Sequence, residues 1–219
     1  MLFFTRISRF FLLFFHLFHT VIQMVYGAWR ISKLHMPIIT IFGSARMKST
    51  TSYAQKAQKL GQRFIDADIS ILTGGGPGIM EAASCHTKYG GKARSIGIGV
   101  RGIEDRPNMC ATEYFELEYF FARKWLLTEY SSGFVIFPGG FGTLDEMAGV
   151  LTLIQTKKIK KVPMVLIGKE YWDPFVQWIT KEALTHEAVL PEELEYFYVT
   201  DNLDEAFCFV QDKCKIVKK

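Results

Sequence analysis

An apolar run that breaks into clustered glycines and then becomes helical leaves a chain few ways to fold. Here that stretch is Gly133-Phe134-Val135-Ile136 followed by Phe137-Pro138-Gly139-Gly140-Phe141-Gly142-Thr143-Leu144-Asp145-Glu146. The run reads as a buried strand and Met147 to Thr156 as a helix, so the glycines form a strand-to-helix turn. Gly139, Gly140 and Gly142 let the backbone approach a ligand closely. Thr143 is placed to cap the helix, and Glu146, three residues on, completes a capping box. Free N–H groups at such a turn, backed by the helix dipole, make a site for a phosphate. A carboxylate one turn into that helix then lies beside whatever carries the phosphate. Taken alone, the same residues also read as a plain turn with Glu146 as a capping residue.

A second copy of the design lies upstream. Ile69 to Leu72 reads as a strand, and Thr73-Gly74-Gly75-Gly76-Pro77-Gly78-Ile79-Met80-Glu81 as a glycine turn entering a helix. Its spacing is not G-x-G-x-x-G, and neither turn ends in Gly-Lys-Ser/Thr, so the dinucleotide and triphosphate fingerprints both fail. Two such turns at strand carboxyl ends can face one another across a crevice that suits a mononucleotide.

The remaining body alternates strand and helix. Pro37 to Phe42 opens as a strand, and Gly43-Ser44-Ala45-Arg46 is a small-residue turn before a helix at Thr51 to Asp66, with Leu60 and Phe64 inward. Ser44 reads either as a donor to a ligand or as a turn residue. Arg46 reads either as a phosphate partner or as a solvated charge. Ser95 to Val100 is a strand, Gly102 to Cys110 a polar loop, and Phe120 to Tyr130 a helix carrying Arg123 and Lys124. Beyond the motif come a strand at Pro163 to Ile167 and a helix at Tyr171 to Glu187 with Trp172, Phe175 and Trp178 inward. A short strand at Phe197 to Thr200 and a helix at Leu203 to Cys214 close the chain. This alternation predicts an α/β class fold, a parallel sheet with helices on both faces.

A chain of 219 residues suffices for one domain of ordinary size. A net charge of +4 is too small to argue for nucleic acid. Cys85, Cys110, Cys208 and Cys214 form no C-x-x-C pair, and the simplest expectation is unpaired thiols in a reducing compartment. Only His86 and His186 lie in the body, which gives a histidine triad or a multi-histidine metal site little support.

Residues 10–29 carry no formal charge and are long enough to cross a bilayer. Arg6, Arg9, His16, Thr20, Gln23, Gly27 and Arg30 recur at helical spacings and draw a polar stripe along an otherwise apolar helix. A helix in or across the membrane competes with one packed on the body or on a partner. A signal peptide ranks lowest, because no small-residue cleavage site precedes the domain. The expected division is an apolar helical extension over 1–35 and a catalytic or binding domain over 36–219.

The two turns together, with the Arg123-Lys124 pair between them, closely resemble the paired signature of the LOG (LONELY GUY) family. These are cytokinin riboside 5′-monophosphate phosphoribohydrolases, long labelled possible lysine decarboxylases. The resemblance covers roughly residues 37–190, and Phe42-Gly43-Ser44-Ala45-Arg46 looks like the bacterial branch, whose members are often described as AMP nucleosidases. It implies a Rossmann-like three-layer subunit, usually a homodimer or higher homo-oligomer. The implied reaction hydrolyses the N-glycosidic bond of a nucleoside 5′-monophosphate to free base and ribose 5-phosphate. It places Arg123 and Glu146 as catalytic residues. Substrate binding falls to Ser44, Gly74, Gly75, Gly76, Met80, Lys124, Gly139, Gly140, Gly142 and Thr143. No metal, organic cofactor or nucleic acid is implied. The expected location is cytoplasmic, with membrane contact through residues 10–29 as a further expectation. A non-catalytic nucleotide carrier on the same fold is the leading alternative; a pyridoxal-dependent decarboxylase and a membrane-attached scaffold stand behind it.

Overall fold

The computed structural model describes residues 2–86, 91–103 and 108–217. In chain order the elements are α1 (Leu2–Ile31), β1 (Ile38–Phe42), α2 (Ser52–Asp66), β2 (Ser70–Thr73), α3 (Ile79–Ser84), β3 (Ser95–Val100) and β4 (Glu113–Leu117). Then follow α4 (Phe120–Glu129), β5 (Gly133–Ile136), α5 (Phe141–Gln155), β6 (Met164–Ile167), α6 (Lys169–Trp178), β7 (Tyr198–Thr200) and α7 (Leu203–Val217). The seven strands form one sheet in the order β4-β3-β2-β1-β5-β6-β7, and every neighbouring pair is parallel. The central strands read as continuous apolar runs because both of their faces are covered. On one face Leu126 of α4, Met147 and Val150 of α5 and Ile31 of α1 pack under the sheet. On the other, Leu60 and Phe64 of α2, Ala83 of α3 and Val210 of α7 do the same. This is the three-layer arrangement expected from the alternation.

The topology locates the site. From β1 the chain runs outward through β2, β3 and β4, then returns to the other flank of β1 with β5 and runs the opposite way. The reversal between β1 and β5 leaves a crevice at their carboxyl ends, the usual ligand position of an open parallel sheet. The turns after β1, β2 and β5 all rise from that point.

Four details depart from the sequence expectations. The strand β4 lies just beyond the polar loop read at Gly102 to Cys110, in a stretch to which no element was assigned; residues 104–107 of that loop lie outside the described residues. It is an edge strand whose Glu113 and Glu116 alternate with Phe115 and Leu117, so its apolar content is halved. Trp178, expected inward, is 57% exposed. Six residues past the buried Trp172 amount to about 600° of helical rotation, which carries the side chain off the buried face. The α-helix also ends at Trp178 and passes into a wide π-helical turn over Ile179–Ala183. Finally, Cys85 and Cys110 are joined in a disulfide with their Cα atoms 4.7 Å apart, while Cys208 and Cys214 are in no disulfide. The expectation of four unpaired thiols is therefore corrected: the fold brings the end of α3 against the segment before β4, a contact invisible in residue spacing.

The apolar α1 is present, and the part of its polar stripe from Thr20 to Arg30 faces the body, whereas His16 is exposed. Thr20 and Gly27 are buried. The Gln23 side-chain oxygen accepts from the Glu118 N–H at 2.9 Å, and Arg30 pairs with Glu113 at 2.7 Å. Met24, Ala28 and Ile31 join the core beneath.

Candidate active site

Three turns interlock at the crevice. The Ser44 N–H donates to the Pro138 carbonyl at 3.1 Å, and the Ile79 N–H donates to the Ser44 carbonyl at 3.1 Å. The turn after β1 is thereby clamped between the two glycine turns. The Ser44 hydroxyl oxygen accepts from the Arg46 N–H at 3.1 Å, which closes its own turn, and the Arg46 side chain is exposed.

The turn after β2 is a packed backbone corner. Gly75 takes φ +73°, and a Cβ there would lie 2.8 Å from the Tyr114 ring and 2.9 Å from the Gly99 nitrogen. Gly78 takes φ +70° against Ser44 and Ala45. Both positions need glycine for conformation and for space. Gly74, Gly75 and Gly76 are buried, and the Met80 sulfur lies against Gly74.

The turn after β5 is built differently. The helix α5 begins at Phe141 with Gly140 as its N-cap, and no side chain caps it. The expected capping box is absent: Thr143 and Glu146 lie inside the helix, because the helical conformation starts two residues before the position assigned to the cap. Thr143 is buried, its hydroxyl turned back against Gly139. A Cβ at Gly140 or at Gly142 would meet nothing within 4 Å. The uncapped first turn thus faces open space, with partial positive charge and no side chain in the way. The Tyr171 hydroxyl donates to the Gly139 carbonyl at 2.6 Å and steadies this turn from α6. Sequence reasoning missed Tyr171; its place just after a strand end at the same side of the sheet was the available signal.

Glu146 lies one turn into α5 and is only 7% exposed. One of its carboxylate oxygens, Oε2, is buried without a hydrogen-bond partner. Burial raises its pKa above the ordinary glutamate value; the charges of Lys124, then Arg123, pull it back, and Asp145 adds to the rise. An acid kept short of partners in a crevice is poised for proton transfer or for meeting positive charge.

Arg123 and Lys124 reach the site from α4. Arg123 donates to the Gly74 carbonyl at 3.3 Å and lies over the Phe120 ring at 4.6 Å. It therefore bridges the turn after β2 to the surroundings of Glu146. Lys124 pairs with Asp145 at 2.8 Å and also donates to the Asp145 carbonyl at 2.7 Å. Its stem runs over Gly149, where a Cβ would stand 2.5 Å from it. The fold thus brings Arg123, Lys124, Gly74 and Glu146 together, with the open turn of Gly140 and Gly142 on the same helix end as Glu146. Arg46 is set apart: it lines a neighbouring cavity of about 520 Å³ with Lys48, Gly78, Glu81 and Cys85, and Glu146 is not in that lining. The chemistry is better assigned to the crevice than to this cavity, which offers a single carboxylate, Glu81, and no open helix end of α5. Among the described residues no cluster of His, Cys, Asp and Glu could hold a metal ion.

Residues 67–209 match the family model described as possible lysine decarboxylase. Cytokinin riboside 5′-monophosphate phosphoribohydrolase LOG of Oryza sativa subsp. japonica is 30% identical over 141 residues, 63% of this chain and 57% of the rice protein. The chain thus matches less than two thirds of that relative's own length. An enzyme of the same name from Rhodococcoides fascians is 26% identical over 151 residues, 67% of this chain and 75% of that protein. Among solved structures, the molybdenum cofactor carrier protein of Chlamydomonas reinhardtii superposes with a TM-score of 0.57 at 20% identity, over 84% of this chain and 99% of the carrier. That last likeness is one of fold.

Proposed function

This chain belongs to the LOG family, the family described as possible lysine decarboxylase, and from that premise we propose that it hydrolyses the N-glycosidic bond of a nucleoside 5′-monophosphate. The products are the free base and ribose 5-phosphate. The observation that carries the reading is Glu146: a buried carboxylate with an unpartnered oxygen, held one turn behind an open, uncapped helix end and beside two cations.

The 5′-phosphate sits at the first turn of α5, over Gly140, Gly142 and Thr143, where the helix dipole and the free space favour an anion. This remote anchor holds the sugar so that its anomeric carbon faces Glu146. As the bond from that carbon to the base nitrogen breaks, the sugar gains oxocarbenium character. Glu146 as carboxylate stabilises that charge and accepts the proton of the water that attacks the carbon. The base leaves with the bonding electron pair and takes a proton at nitrogen from solvent, to which Glu146 returns the proton it accepted, so that one water is divided between sugar and base. Arg123, anchored on the Gly74 carbonyl, stabilises the negative charge of the phosphate or of the departing base. No step calls for a metal, a pyridoxal group or a nucleic acid partner.

A carrier role is the second reading, favoured by the fold likeness to the molybdenum cofactor carrier. A carrier needs the glycine turns and does not need Glu146 unpaired. The test is to incubate the full chain with AMP and with prenyl-AMP and to measure free base and ribose 5-phosphate. Glu146→Gln and Arg123→Ala are each expected to lower kcat/KM by at least roughly 100-fold, the cost of losing a catalytic group. Nucleotide binding without release of base from wild type supports the carrier instead.

A further inference from the structure

The reaction leaves one large feature of the molecule without a role, the outer face of α1. Its polar side is spent on the body: Thr20, Gln23, Gly27 and Arg30 lie along one line; Thr20 is buried, and the other three meet β4, α4 or their flanks. Turned about half a revolution away, Phe10, Phe14, Phe18, Val21, Val25 and Trp29 recur at steps of three and four and are all exposed. The stripe covers twenty residues, about 30 Å of helix. A soluble helix normally shows the reverse arrangement, apolar side in and polar side out.

Charge identifies what covers this face. Asp66 is the first acidic residue of the chain, so α1 and its flanks carry only cations in sequence; with Arg30 paired to Glu113, Arg6, Arg9 and Lys33 remain. A second copy laid along the stripe would bring like charges together in either direction, whereas an anionic lipid surface complements them. At the body end of the stripe, Lys33 lies over the Trp29 ring at 3.2 Å, with Tyr26 one turn back, a pairing suited to headgroup depth.

The packing also fixes the orientation. By length and composition Leu12–Ile31 could cross a bilayer. Crossing would strip Gln23 and Arg30 from Glu118 and Glu113 and carry them into hydrocarbon. The apolar part clear of the body, Phe10 to Phe18, is about 14 Å long, half of the roughly 30 Å hydrocarbon layer. We propose that the chain docks one-sidedly on an anionic lipid bilayer, with α1 lying in the plane of the interface, its phenylalanine stripe in the acyl region and its polar stripe on the protein.

The test is flotation of the full chain with phosphatidylcholine vesicles, with and without phosphatidylglycerol. The chain should float with the anionic vesicles, at least about ten-fold better than with the neutral ones, and high salt should narrow the gap. The triple substitution Phe14→Asp, Phe18→Asp and Val25→Asp should abolish flotation while circular dichroism and melting temperature hold. Arg6→Glu with Arg9→Glu, which leaves the packed half of α1 untouched, should weaken flotation on anionic vesicles several-fold and serves if the triple variant fails to fold. A tag at the amino terminus should stay open to protease outside sealed vesicles. Protection of that tag would show a crossing helix and overturn the orientation. Failure to float with either vesicle, with a discrete oligomer in detergent-free buffer that the triple substitution dissolves, would assign the stripe to a second copy and overturn the proposal.

Discussion

The two glycine turns look alike on paper and do opposite work in the fold. The turn after β2 is closed: Gly75 and Gly78 hold positive φ, and backbone or ring atoms stand where their side chains would be. The turn after β5 is open: Gly140 and Gly142 have empty space at the same position, and neither holds a positive φ. At the first, backbone and ring atoms crowd the glycines; at the second, the glycines leave open space at the end of α5, where we propose that the phosphate sits. Similar composition therefore makes a crowded corner in one place and an open helix end in the other.

The sharpest way to break this contrast is Gly75→Ala. Left-handed strain and collision with Tyr114 and Gly99 should cost roughly 2–4 kcal/mol of stability, read as a fall in the denaturant midpoint; an unchanged midpoint would mean the closed turn is not closed. At Gly142→Ala the opposite sign is expected. Alanine in a helix should stabilise by up to about 1 kcal/mol, while the added methyl group should raise KM for AMP several-fold. A variant that gained stability with KM unmoved would remove the phosphate from this turn.

Glu146 gives a prediction of the same kind. Its pKa is raised in the fold, so the protonated form is the better tolerated one. Its burial then costs stability increasingly as pH rises from the ordinary glutamate value to the folded pKa, with the full cost present above that pKa and none in acid below the ordinary glutamate range. Glu146→Gln should be no less stable than wild type at neutral pH, any advantage disappearing in acid, while its activity is expected to fall by at least roughly 100-fold. Thermal melts across pH check this.

The smallest effect concerns Lys124, whose charge pulls the Glu146 pKa down. In Lys124→Ala the acid limb of the kcat/KM profile should move to higher pH. A limb that stayed in place or moved the other way would separate Lys124 from the carboxylate.

Much of this was legible in residue order. Apolar runs followed by glycine clusters located β2 and β5, since a buried parallel strand must be apolar on both faces and its exit turn must be tight. The Arg123-Lys124 pair and Glu146 stood out through the motif they share. The start of α5 was misplaced by the expectation that Thr143 caps it, because the capping preference is weak beside the packing that turns Thr143 against Gly139. The edge strand β4 was hidden by its alternating glutamates.

What the residues determined unaided was the order of elements, the parallel sheet and the chemical types available at the turns, all consequences of local periodicity and backbone freedom. Only tertiary structure decided which turn is crowded and which is open, that Cys85 meets Cys110, that Glu146 loses its water and keeps an unpartnered oxygen, and that the polar side of α1 faces inward. Each of these depends on atoms distant in the chain arriving in one place, and burial is a property of that arrival.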